Sequence, residues 1–242
     1  MAGTHPSSTD QILTISGLSG RPDLVHGFST LALGSMQRDP AASSPLTPAR
    51  AAFAAAVGLE AGRVTTVGAV HGTQVARVDR PAGLVPGCDA LVTDRPGLPL
   101  LATFADCYPV LLFDPVRRAL AMAHAGWRGA AAGVATAAVQ ALAREYGSRP
   151  GDLLAGLGPG ICRRCYAVGE EVAARFPPTV VSRDGDRILL DLPAALHAQL
   201  VDAGVLAEHV HVHGACTRET PELPSHRRSA DGARFACLAA IR

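Results

Sequence analysis

Three short segments of this chain combine residue types that could do chemistry. They are Val70-His71-Gly72-Thr73-Gln74-Val75, Ala105-Asp106-Cys107-Tyr108-Pro109 and Ala123-His124-Ala125-Gly126-Trp127-Arg128-Gly129. Each sets one borderline-soft metal ligand beside a glycine or an apolar, strand-like run. His71, Cys107 and His124 together suit a zinc ion whose fourth position stays open for water or substrate, the pattern of a catalytic rather than a structural site. The intervals are about 36 and 17 residues, so the ligands can meet only through folding. On the residues alone a second reading stays open. A lone cysteine between apolar runs is most often a small core residue.

Asp106 weighs on the side of a site. A carboxylate at the end of a buried strand needs a partner, which implies that this strand end opens into a polar pocket. After His124, Gly126-Trp127-Arg128-Gly129 leads into a helix start, where backbone N–H groups and Arg128 would suit an anion such as phosphate. A thiol–imidazole hydrolase with Cys107 as nucleophile and His124 as base fits the same residue types.

Other groups carry less. Cys162-Arg163-Arg164-Cys165 has the spacing of a zinc or redox pair, but the sequence shows neither a second pair nor thioredoxin-like surroundings. His209, His211 and His213 alternate along a strand-like stretch and are expected on a solvated face. His26 is either structural or site-lining. Cys88 and Cys237 read as packing residues. Cys216-Thr217-Arg218 and Ser225-His226-Arg227-Arg228 lie near the C-terminus; the adjacent arginines of the second are expected as a solvated turn, or as a fork for phosphate or carboxylate.

These residues must be positioned by the rest of a 242-residue chain that is 48% hydrophobic and 18% charged. That is material for one large core and argues against extensive disorder. A net charge of +1 gives no global field toward nucleic acid or an anionic membrane. The 22 basic residues are all arginine, which excludes lysine Schiff-base chemistry and a P-loop lysine. The six cysteines are too few and too irregular for a secreted disulfide framework. The first residues show no signal pattern and no apolar run reaches the length of a membrane span, so the expected location is the cytoplasm.

Residues 1–22 are expected as a loose arm with one short strand, Ile12 to Ile15, ahead of a single domain over 23–242. Gln37 to Pro48 reads as a loop. Thr47 and Pro48 should open a helix that Gly58 ends. Strands follow at Val64 to Val70, Val75 to Val78, Ala90 to Thr93, Leu100 to Phe104, Val110 to Phe113 and Leu120 to His124, the last three at hairpin-like intervals. Asp114 to Arg118 reads as the final turn. Gly129 to Tyr146 should form one alanine-rich helix closed by Gly147. Leu153 to Leu157, Ile188 to Leu190, His209 to His213 and Phe235 to Ile241 read as strands; Val168 to Phe176 and Pro193 to Ala203 read as helices. Helices mixed with hairpins favour an α+β fold over a doubly wound parallel one. No dinucleotide fingerprint and no long-period repeat is present.

The chain resembles the laccase-domain family, also called multicopper polyphenol oxidase-like proteins. The resemblance covers roughly residues 24–241. It rests on VHGTQV at 70–75, DALVTDRPG at 89–97, TFADCYPVLLFDP at 103–115, AHAGWRGAAAGV at 123–134, LGPGICRRCYAVGEEV at 157–172, and CTRE with SHRR at 216–219 and 225–228. Family members are described as zinc-dependent purine nucleoside phosphorylases and, in some bacteria, as peptidoglycan editing factors. The resemblance implies a single α+β domain with mixed sheets. It also implies His71, Cys107 and His124 as zinc ligands, with zinc favoured over copper. The implied reaction is phosphorolysis of adenosine, inosine, guanosine or methylthioadenosine, with possible adenosine deamination. Substrate and phosphate are then the expected partners, with no nucleic acid and no membrane. Asp106, Cys107 and Arg128 are the expected catalytic residues, and Arg50, Arg128 and Arg228 the expected phosphate ligands. An editing hydrolase acting on a muramyl precursor and a zinc-stabilised binding protein are the alternatives. Two departures stand out. About a dozen residues of the family's N-terminal stretch are missing after Gly27-Phe28-Ser29-Thr30. His226 stands where the family carries tyrosine.

Overall fold

A computed structural model describes residues 12–38 and 44–242. Two six-stranded mixed sheets face each other, with helices on both outer sides, so the layers run helix, sheet, sheet, helices. The first sheet has the order β1 (Ile12–Leu13), β2 (Leu24–Ser29), β15 (Phe235–Ile241), β7 (Leu100–Phe104), β3 (Thr65–Gly68), β5 (Gly83–Pro86). The second has the order β14 (Val210–Val212), β10 (Leu154–Leu157), β8 (Tyr108–Asp114), β9 (Ala119–Ala125), β6 (Ala90–Thr93), β4 (Val75–Arg77). A small third sheet joins β11 (Ala167–Val168), β13 (Arg187–Leu190) and β12 (Val181–Asp184). The fold is α+β in one domain, as the sequence implies.

Both faces of the central strands are covered, which explains why β8, β9 and β15 read as unbroken apolar runs rather than alternating ones. The period of two sorts their side chains between two cores. Leu111, Phe113, Leu120 and Met122 pack between the sheets with Phe28, Phe104 and Phe235. Val110, Leu112, Ala119, Ala121 and Ala123 face the helices α3 (Val134–Tyr146) and α5 (Leu192–Asp202). The alanines on β9 let α3 approach closely, and α3 meets them with Val134, Ala138, Val139 and Leu142, a 3.6-period stripe. On the opposite side α1 (Pro48–Ala56) buries Phe53 against Leu101 and Leu238. Thr47 caps α1 by accepting from the Arg50 N–H, with Pro48 in the first turn.

The structure corrects several details of the sequence reading. The helix expected over Gly129 to Tyr146 is two helices, α2 (Trp127–Ala131) and α3, because Gly133 turns the chain in the left-handed region (φ 87°). The stretch Val168 to Phe176 opens with β11 and only then forms α4 (Glu170–Ala173). Leu100 to Phe104 does not pair with the strand after it. β7 lies in the first sheet and β8 in the second, so the chain crosses between sheets at Ala105-Asp106-Cys107. His211 and His213 do not form a solvated face: Gly17 sits directly on the His211 ring, and His213 meets the Phe28 ring edge-on at 6.1 Å. Of the segment expected as a loose arm, residues 1–11 lie outside the described residues, and Ile15 and Leu18 are buried between the sheets. Part of the loop expected at Gln37 to Pro48, residues 39–43, also lies outside them. Among the described residues no helix is long and apolar enough to cross a membrane.

His26, on β2, is structural. Its Nε2 accepts the Ile15 N–H at 2.9 Å in the buried interior. Burial, reinforced by His213, pushes its pKa from 6.5 down to about 4. Between those values the unfolded chain binds the proton and the folded chain does not, so the contribution to stability is complete above about 6.5 and is lost as pH falls toward 4. The unfolding free energy of the protein should therefore fall with acid by up to about 1.4 kcal/mol per pH unit more than that of His26→Gln. Urea titrations of both proteins from pH 7 to 4.5 check this, and parallel pH dependences would remove His26 as the cause.

Candidate metal centre

The three segments singled out by their residue types meet at one end of the space between the sheets. The possible ligand atoms of His71, Cys107 and His124 all lie within 4.8 Å of one another. They line a cleft of about 850 Å³ that also takes in residues of β3, β5 and β7.

Each ligand is placed by a different device. His124 sits on β9 in step with Leu120 and Met122, so the strand period turns it toward the inter-sheet side. There its ring stacks on Phe104 at 5.2 Å and 23°. Burial, with His71 and Arg234 nearby, pushes its pKa down to about 3, which keeps the imidazole neutral and its lone pair available. Its Nδ1 is buried and makes no hydrogen bond with the described residues, an orphaned polar atom at the point where the other ligands converge. Cys107 sits at the crossing between sheets. Desolvation and the neighbouring Asp106 push its thiol up to about 12. A positive charge placed beside it would offset both effects and favour the thiolate.

His71 sits in a loop and has left-handed backbone (φ 64°), unusual for a residue with a side chain. Asp89 holds it there. This fully buried carboxylate accepts three consecutive backbone N–H groups, from Val70 at 3.0 Å, His71 at 2.7 Å and Gly72 at 2.8 Å. The carbonyl of the same residue accepts the His124 N–H at 2.7 Å. One residue thus fixes the backbones of two of the three candidate ligands. In the sequence Asp89 belongs to the DALVTDRPG segment and carries no mark of its own as a site residue. A carboxylate inside Cys88-Asp89-Ala90-Leu91-Val92 was the available signal, by the reasoning applied to Asp106.

Gly126 brings the third segment close. A Cβ there would stand 2.9 Å from the Cys107 Sγ and 3.0 Å from the His71 Cδ2. Gly129 packs in the same way under the His71 loop, where a Cβ would meet the Gly72 carbonyl at 2.9 Å.

Asp106 also has left-handed backbone (φ 81°). Its carboxylate accepts from the Thr217 hydroxyl and from the Arg227 N–H, both at 2.7 Å, and its carbonyl accepts from the Ile161 N–H at 3.0 Å. It pins the C-terminal loop to the site. Arg128 lines the cleft with its guanidinium 4.3 Å from the centre of the Trp127 ring. Arg50 lines it from below, bonded to the carbonyls of Met36 and Pro45, and burial with Arg38 nearby lowers its pKa to about 10. Arg228 is directed elsewhere. Its guanidinium donates to the carbonyls of Thr217, Arg218, Thr220 and Leu223, and it does not line the cleft. Arg38, Arg227 and Arg234 line it instead, with Tyr166 and His226. Arg227 belongs to the Ser225–Arg228 segment, read in the sequence as a possible arginine fork; nothing in the local sequence of Arg38 and Arg234 distinguishes them from solvated arginines.

The family model described as multi-copper polyphenol oxidoreductase laccase matches residues 20–242. The chain belongs to this family. Among its laccase-like relatives, a purine nucleoside phosphorylase of Streptomyces coelicolor is 42% identical over 210 residues, covering 84% of each chain. A purine nucleoside phosphorylase of Deinococcus radiodurans is 41% identical over 191 residues, covering 77% of this chain and 73% of the relative. The crystal structure of YlmD from Geobacillus stearothermophilus superposes with a TM-score of 0.85 at 26% identity, covering 100% of this chain and 98% of that one. The segments that carry the laccase-family resemblance, around His71, Cys107 and His124, are those that line the cleft. His226 lies on the cleft wall, as do Gln37 and Arg38.

Two substitutions probe this construction. Gly126→Ala should lower metal affinity at the trio at least ~10-fold, because the new methyl displaces two ligands. Asp89→Asn replaces an acceptor oxygen by an NH₂ that faces a backbone donor, and should lower affinity ~10- to 100-fold, as loss of a ligand-supporting hydrogen bond does. Competition with a chromophoric chelator measures both, and unchanged affinity in either variant would show that the corresponding contact does not set the ligands.

Proposed function

We propose that the chain is a zinc-dependent purine nucleoside phosphorylase, cleaving adenosine, inosine, guanosine or methylthioadenosine with phosphate. The observation that carries this reading is the juxtaposition in one cleft of a His-Cys-His trio with Arg38, Arg50, Arg128, Arg227 and Arg234. A surface so rich in guanidinium groups suits a phosphate dianion. The relatives named as purine nucleoside phosphorylases support the reaction type. The donor set, one thiolate and two imidazoles with room left open, favours zinc. The described residues offer too few imidazoles here for a multicopper cluster.

His71, Cys107 and His124 would hold the ion, which when bound supplies a Lewis acid at the cleft floor. The guanidinium of Arg128, already aligned on the Trp127 face, would hold phosphate, with Arg50 and the other cleft arginines adding charge. The phosphate oxygen attacks the anomeric carbon as the glycosidic bond breaks, its electron pair leaving with the purine and positive charge developing on the sugar. Fixed guanidinium groups that hold the dianion against that carbon supply orientation at little reorganisation cost. Trp127 and Tyr166 offer ring surface for the base. Arg228 is not retained as a phosphate ligand, since its hydrogen-bonding capacity is directed at the turn carbonyls. Both oxygens of Asp106 already accept a hydrogen bond, which supports an orienting role over proton transfer.

Purified protein loaded with one zinc at this trio should release free base from adenosine, inosine or methylthioadenosine only when phosphate is present. Cys107→Ala should abolish the release. Arg128→Ala should raise the phosphate KM about 10- to 100-fold, in line with about 1.5–3 kcal/mol for a charged hydrogen bond. Base release without phosphate would overturn phosphorolysis, and inosine as the sole product of adenosine would replace it with deamination. Amino-acid release from a muramyl precursor without nucleoside turnover would replace it with the editing hydrolase. An unchanged phosphate KM in Arg128→Ala would remove that residue's role.

A further inference from the structure

A second set of ligands assembles outside the cleft. Cys162, Cys165, Cys216 and Glu219 place three sulfurs and a carboxylate oxygen within 4.8 Å of one another. In sequence the Cys162-x-x-Cys165 pair lacks a counterpart. Folding provides one, because Cys216-x-x-Glu219 has the same interval and lies alongside. We infer that this cluster is a structural zinc site with three cysteine ligands and one carboxylate, independent of the His-Cys-His trio.

The local backbone is built like a pair of zinc-binding turns. The Cys165 N–H donates to the Cys162 carbonyl at 3.0 Å, and the Glu219 N–H donates to the Cys216 carbonyl at 3.1 Å. Each turn brings its first and last side chains to the same side. The two turns are joined by a parallel bridge between Gly160 and Cys216, in which the Thr217 N–H donates to the Gly160 carbonyl at 3.0 Å. The Cys162 N–H donates to the Cys216 Sγ at 3.3 Å, the kind of backbone donor that supports a thiolate ligand. The Cys165 Sγ lies 3.4 Å from a Glu219 oxygen. A tetrahedron with zinc–sulfur bonds near ~2.3 Å has edges near ~3.8 Å, so contraction by about an ångström would complete the site. Three thiolates and one carboxylate exceed the charge of the ion. Arg164 offsets part of the excess, since its Nη2 holds Glu219 at 2.9 Å and leaves lone pairs on the carboxylate for a metal.

Position gives the site a purpose. More than twenty residues without helix or paired strand, 213–234, separate β14 from β15. A loop of that length in a compact domain needs something to fix it. A closed four-ligand ion would clip it to the segment around Cys162 and so hold Thr217 and Arg227, the two partners of the Asp106 carboxylate.

The test is zinc stoichiometry under a thiol-free reductant. Wild-type protein should hold two zinc ions per chain, and Cys107→Ala and Cys165→Ser should each hold one. Cobalt(II) added to metal-free Cys107→Ala should give the thiolate-to-cobalt charge-transfer absorption of a tetrahedral sulfur-rich site, and Cys107→Ala/Cys165→Ser should lack it. If Cys107→Ala fails to fold, the loss of one of two zinc ions in Cys165→Ser carries the same information. The proposal is overturned if reduced wild-type protein binds a single zinc that Cys165→Ser retains, or if cobalt absorption persists undiminished in the double variant.

Discussion

The Asp89 carboxylate is the contact on which the candidate centre depends. Three backbone donors converge on one buried carboxylate, and that convergence supports His71 in the left-handed region. A buried carboxylate is tolerated only when its oxygens find donors, so removing any of these donors would leave a buried polar atom unsatisfied. The same residue reaches His124 through its carbonyl, on the neighbouring strand β9. The loop ligand and the strand ligand therefore move as one unit, and Cys107 is brought to them by the crossing between sheets.

That crossing is a consequence of layering. β7 belongs to one sheet and β8 to the other, so the three residues between them span the inter-sheet space. A thiol and a carboxylate fall at the end of a core built from Phe28, Phe104, Phe113 and Phe235. The apolar core sets the low-polarity surroundings that raise the Cys107 pKa and lower that of His124. These surroundings favour the neutral thiol of Cys107 and the neutral imidazole of His124, and a cation bound between them would favour the thiolate. Close approach is possible because Gly126 and Gly129 carry no side chain at the two tightest points.

Asp106 performs for the C-terminal loop what Asp89 performs for the His71 loop. In both, a buried carboxylate is satisfied by neutral donors from a distant segment, so the polar wall of the cleft is tied to its metal-ligand floor. Cys216 and Glu219 lie in the same loop, and Cys162 and Cys165 in the segment bridged to it at Gly160. The arginines on the cleft wall come from five separate places in the chain, and their summed field is what makes the cleft suited to an anion.

Much of this was legible in the sequence. Residue chemistry and strand-end position singled out His71, Cys107, His124 and Asp106. Apolar runs of strand length marked β6, β7 and β15 to the residue, because a strand buried on both faces has no other way to read. Thr47-Pro48 and Gly147 marked helix ends, because caps are local. Pairing was not legible: a strand carries no label for its sheet, so β7 and β8 looked like a hairpin and the site-making crossover went unseen. Nor could local sequence separate Arg38 and Arg234 from solvated arginines, decide which of Arg227 and Arg228 lines the cleft, or show what lies beside Cys162-x-x-Cys165. The deciding contacts are made in space: Asp106 meets Arg227 and Cys162 meets Cys216 across more than fifty residues, while Arg228 turns to carbonyls 5 to 11 residues away. Chemistry is carried by residue type, which sequence displays; convergence is a long-range property, which only the packing of the two sheets decides.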